Sequence, residues 1–142
     1  MIDLLILKED VFVKLKSLIG QYTFPEGGTG YAIAILPDPD SGWLYPGHGT
    51  KVTGLEVVIK EPYPEVSSNI GGDRTKSYDW EIHLKQWDTT KTIKEAIQLL
   101  VNELPSVYRI ERISLMPASN KLLTVEQCKI YIKEWVLISR EF

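Results

Sequence analysis

The chain has a single cysteine, Cys128, so no intrachain disulfide can form, and a reducing compartment is the simple expectation. It has only two histidines, His48 and His83, which with one thiol are too few soft ligands for a structural zinc site. It lacks a basic excess: 16 Lys and Arg stand against 19 Asp and Glu, a net charge of −3, with the signs interspersed. That balance argues against a specific nucleic-acid partner, and no block of like charge reads as an interaction tail. Long apolar runs are missing too. The opening Met-Ile-Asp-Leu-Leu-Ile-Leu carries Asp3 and no basic n-region, and it is too short for a signal peptide or a membrane span. The expectation is a cytoplasmic protein with no membrane partner. Internal repeats and low-complexity tracts are also lacking.

What is present is one domain's worth of chain, 142 residues of which 44% are hydrophobic, enough for one core spanning 1–142. Its organising stretch is 77–116. In 77–85, Tyr78, Trp80, Ile82 and Leu84 alternate with Asp79, Glu81, His83 and Lys85, the period of a strand with one dry and one wet face. The period then changes. Ile93, Ala96, Ile97, Leu100, Val101 and Leu104 recur at helical steps, with Asp88, Thr89 and Thr90 as candidate caps and Pro105 as the stop. A second strand is predicted over 108–116, slipping phase near Arg112, because Tyr108 and Ile110 alternate one way and Ile113 and Leu115 the other.

Around this unit, residues 2–19 predict a helix with Leu4, Leu7, Val11, Leu15 and Leu18 on one stripe and Gly20 at its stop; a short strand over 2–7 before a helix capped by Asp10 is the alternative. Residues 21–30, with Pro25, Gly27, Gly28 and Gly30, predict a loop. Strands are expected at 31–36, 52–60 and 125–138, the last long enough to need a bend or bulge near Glu134. Residues 66–76 predict an exposed, mobile loop carrying Asp73, Arg74 and Lys76, and 117–124 a connection. The order helix, three strands, helix, two strands is α+β: a mainly antiparallel sheet of about five strands with two helices packed on one face.

Catalytic patterns are weak. Residues 42–48 have the glycine spacing of a phosphate loop, but His48 stands where the lysine belongs and a strand, not a helix, follows. Asp38, Asp40 and Gly42 suit a turn better than a calcium loop, which needs further ligands. Cys128 and His83 fall on opposite strand faces, so a nucleophile–base pair is not expected and Cys128 reads as a buried small hydrophobe. Asp79 and Glu81 share a strand face with His83; an enzyme would need them in a cleft, and a solvated face is the plainer reading. No catalytic residue, cofactor or metal ligand is assigned. Tyr131 and Trp135 lie in phase with the wet face of the last strand and are candidate protein-contact residues, either on a small interaction module or on an assembling subunit.

The element order, the long loop before the Trp80-to-Trp87 strand, the helix after it, and the closing Tyr131-Ile132-Lys133-Glu134-Trp135-Val136-Leu137 strand resemble the tail-terminator and tail-completion proteins of long-tailed phages, also known as minor tail or head–tail joining proteins. The resemblance covers nearly the whole chain as pattern. It implies a small α+β domain without catalysis, closing into a ring, typically hexameric, that caps the tail tube and mates it to the head connector. The partners it implies are further copies of the chain and a tail-tube or head-connector protein. Asp73, Arg74, Lys76, Tyr131 and Trp135 are the candidate contact residues.

Overall fold

The computed structural model describes residues 2–35, 49–62, 65–68, 74–88, 92–116 and 126–138, with the side chains at 65–68, 74–77, 116 and 135–138 outside that description. The fold is α+β. α1 (Leu4–Leu15) opens at Asp3, whose carboxylate accepts from the Ile6 N–H at 3.0 Å, and it buries Leu7, Val11 and Leu15. It stops at Leu15 rather than at residue 19, and a tighter turn follows, in which the Leu18 N–H bonds three residues back to the Leu15 carbonyl at 2.8 Å. Gly20 is therefore no helix cap. A Cβ there would stand 1.8 Å from the Thr53 carbonyl oxygen, so glycine is required by close backbone approach.

The stretch expected to be a loop is a hairpin: β1 (Gln21–Thr23) pairs antiparallel with β2 (Thr29–Tyr31), and Gly27 and Gly28, both at positive φ, carry its turn. The strand expected over 31–36 divides between two sheets. β2 ends at Tyr31, buried Ala32 bonds to Gly20 and Val57, and β3 (Ile33–Ile35) joins the larger sheet. The strand expected over 52–60 divides likewise into β4 (Lys51–Thr53), paired with β1, and β5 (Leu55–Lys60); Gly54, at φ 77°, makes the switch.

The smaller sheet has the order β2-β1-β4. The larger runs β3-β5-β7-β9-β8, with β7 (Arg74–Gln86), β8 (Ile110–Met116) and β9 (Glu126–Ile138), and β6 (Glu65–Ser68) pairs with the first part of β7. Only β3–β5 is parallel within it. α1 and α2 (Ile93–Glu103) pack on one face, where Leu55, Val57, Ile59, Trp80, Ile82, Leu84, Cys128, Ile130 and Ile132 meet Leu7, Val11, Leu15, Ile93, Ala96 and Leu100 in one core. α2 is capped by Thr92, which accepts from the Glu95 N–H at 3.4 Å, and not by Asp88, which accepts from Gly54 N–H at 2.8 Å instead. Val101, placed on the apolar stripe by its spacing, is 52% exposed.

Three further expectations meet the register of this sheet. β8 does slip, between Ile110 and Arg112, so Ile110 and Ile113 pair with Ile132 and Ile130 on the buried face. β9 does not bend out of step: its 13 residues pair one to one with those of the equally long β7, and the Glu134 carboxylate on the helix side accepts from the Ile2 N–H. The loop expected over 66–76 is largely a strand pair, Glu65 to Ser68 against Arg74 to Ser77. Its polar composition hides it, since serine, threonine and charged residues print no alternating apolar signal.

Candidate functional site

The face of the large sheet away from the helices carries the polar half of each alternation. At its centre Lys60, Pro62, Asp79, Glu81, Glu111, Arg112, Tyr131 and Lys133 line a shallow depression of about 460 Å³. The strand registers assemble it: Lys60 of β5 is opposite Glu81 of β7, Asp79 opposite Lys133 of β9, Glu81 opposite Tyr131, and Tyr131 opposite Arg112 of β8. The Lys60 ammonium is 3.2 Å from Glu81 and the Lys133 ammonium 3.7 Å from Asp79. Each of these two carboxylates thus has a lysine within ion-pair distance. The Arg112 guanidinium lies over the Tyr131 ring, 4.2 Å from its centroid, a cation–π contact.

His83 is beside this centre, with Nε2 3.8 Å from Glu81 and a side chain only 16% exposed. Burial holds its imidazole below the ordinary value; Glu81 pulls it up, and Lys129, Lys85 and Lys60 push it down again. It is therefore neutral at pH 7, and Nε2 has no hydrogen-bond partner among the described residues. Cys128 is on the helix side of the sheet, opposite Leu84, while His83 is opposite Lys129 on the other side; the two are not brought together. Burial also pushes the Cys128 thiol up to about 11, so it is un-ionised at neutral pH.

The same face holds a group the alternation misplaces. Glu56 counts as wet by its spacing but is 3% exposed, and Val58 is equally buried. Tyr22 of β1 donates its hydroxyl to Glu56 Oε2 at 2.6 Å, and Trp87 donates Nε1–H to Oε1 at 3.1 Å. Trp87 is thus an internal hydrogen-bond donor, not a free contact surface. No sequence signal joins Tyr22 to Glu56, because the contact exists only once the chain has crossed between sheets at Ala32 and Gly54.

Of the expected contact residues, Tyr131 is in the depression. Arg74 and Lys76 are on β7, opposite Ser68 and Val66 of β6 and Ile138 and Val136 of β9, so they belong to a strand and not to a loop. Trp135 is opposite Ser77 on the same ribbon. Asp73 lies outside the described residues, as do Asp38, Asp40, Gly42 and His48 with their turn and glycine spacing, and Thr89 and Thr90. Arg112, Lys60 and Lys133, which build the depression, were legible only as strand residues. Among the described residues, no group of three or more His, Cys, Asp and Glu gathers to hold a metal ion, and no helix is long and apolar enough to cross a membrane. Neither family models nor curated proteins match the chain.

Proposed function

We propose that the chain is a non-enzymatic structural protein of a phage or prophage tail, which assembles with further copies of itself into a ring that caps or joins the tail tube. The observation that carries this reading is the β6–β7–β9 arm. β7 and β9 each run 13 residues, about 43 Å of strand, while the 11-residue α2 that packs on them is about 16 Å long. The described core positions on these strands run from Trp80 to Leu84 and from Cys128 to Ile132. Residues 74–77 of β7 pair with both β6 and β9, and Arg74, Lys76 and Trp135 lie there. A sheet whose strands run so much longer than α2 is suited to contact with a neighbour, and heterologous contact of one arm with the next subunit closes a ring when the rotation allows. The helix-free face, with Asp79 and Glu81 each beside a lysine, fits a contact surface better than an acid–base site.

A second reading is a small interaction module unrelated to phages, for which the Arg112–Tyr131 stack in the polar depression is the favouring observation.

Co-sedimentation with polymerised tail tubes encoded beside the gene tests the first reading. A cap binds ends, so the protein bound per mass of tube rises in proportion when the tubes are sheared shorter. Binding that follows tube mass, or no binding, overturns it.

A further inference from the structure

β8 is the last strand of the large sheet, and among the described residues its outer edge pairs with no other strand. An open edge presents a row of backbone donors and acceptors that another strand can take. Beside it, between β8 and α2, is a cleft of about 560 Å³ lined by apolar residues of both elements, among them Leu100, Leu104, Ile110 and Ile113, and also by Glu111 and Arg112. Next to the cleft, Leu115 and Val107 are 70% and 73% exposed, much apolar surface for one edge of a small domain.

The side chains along the edge identify the strand that fits it. The register slip puts Ile110 and Ile113 on the buried face, while Glu111 and Arg112 stand at the edge itself, lining both the depression on the opposite face and the cleft. Consider a second β8 laid antiparallel about a two-fold axis passing between Glu111 and Arg112. One register then pairs Glu111 with Arg112 of the second copy, twice, on the polar face. The same register pairs Ile110 with Ile113, twice, on the apolar face. It also brings the exposed Leu115 of each copy level with Tyr108 of the other, at the wall of the cleft. Charge and apolar complementarity thus coincide in a single self-complementary register, as an isologous interface demands. A bulge ordinarily blunts an edge, but the two-fold places bulge against bulge, so both strands leave regular pairing at the same step.

We infer that the β8 edge is a homodimer interface, in which two copies of this chain join their large sheets through antiparallel β8 strands with reciprocal Glu111–Arg112 pairs. It concerns the protein in free solution and is independent of the tail reading, so either can fail without the other.

The test is sedimentation velocity of the free chain and of charge variants, without tail tubes. The wild type sediments as a dimer at micromolar concentration. Glu111→Arg and Arg112→Glu each place like charges opposite each other twice and weaken the dimer about tenfold or more. Mixing the two single variants restores it, because one chain then presents arginine at both paired positions and the other presents glutamate at both; circular dichroism of each confirms folding. A wild type that stays monomeric, a dimer that survives both single reversals, or single variants that do not recombine overturns the assignment.

Discussion

Glu56 is the one buried charged residue found among the described residues, and what surrounds it sets its cost. A carboxylate taken from water needs its lone pairs filled, and Tyr22 and Trp87 fill one on each oxygen from two different parts of the chain. The three side chains fasten β1 of the small sheet to β5 of the large one. Replacing Tyr22 by Phe keeps the ring and removes one donor from a buried acceptor, so urea unfolding should show a loss of about 1–3 kcal/mol. A loss well under that would mean water reaches Glu56. His83 has the opposite character, a buried base held neutral. Its pKa in the folded protein is below the ordinary 6.5, so as pH falls the unfolded chain takes up its proton first. Its contribution to stability is intact above about pH 6.5 and is lost as pH drops toward the folded value. His83→Gln should therefore narrow the stability difference between pH 8 and pH 5.5 measured by denaturant melts, leaving the carboxylate contribution at lower pH. An unchanged difference would show that the imidazole titrates freely.

At the scale of elements, α2 shows how spacing and packing part company. Its apolar residues mark a helix correctly, yet the face that meets β7 and β9 is Ile93, Ala96 and Leu100, with Val101 turned to solvent. Leu100→Asp puts an unpaired carboxylate in the core and should abolish the cooperative thermal transition, a cost comparable with the whole stability of roughly 5–15 kcal/mol. Val101→Asp should change stability by no more than about 0.5 kcal/mol. Equal effects would mean that the helix face is wrongly placed. The legible parts of the fold were those where period and burial agree: α1's stripe, the dry face of β7, the phase slip in β8 and the burial of Cys128. The two sheet crossings were hidden because the apolar runs 31–36 and 52–60 continue straight through them, and only small residues, Ala32 and Gly54, mark the turn. β6 was hidden because its polar residues print no apolar alternation in the sequence. In the candidate site, Asp79, Glu81, His83 and Tyr131 were legible as one polar face each, but the pairings with Lys60, Lys133 and Arg112 depend on strand register, which local pattern does not carry.

Among the described residues the molecule is a helix-backed sheet whose other face is largely polar, with a β6–β7–β9 ribbon at one end and a β8 edge that pairs with no other strand. The small sheet is fastened to β5 through Glu56. The proposal that such a subunit closes into a ring on a tail tube makes one demand that a lone enzyme or a generic adaptor does not: an ordered, closed assembly found only where a tube ends. Electron microscopy of polymerised tail tubes from the same genome, incubated with an excess of the protein, tests this most directly. The account predicts a compact ring-shaped density on tube tips, of constant subunit number, with bare tube walls. Tips that stay bare at high protein concentration would contradict it.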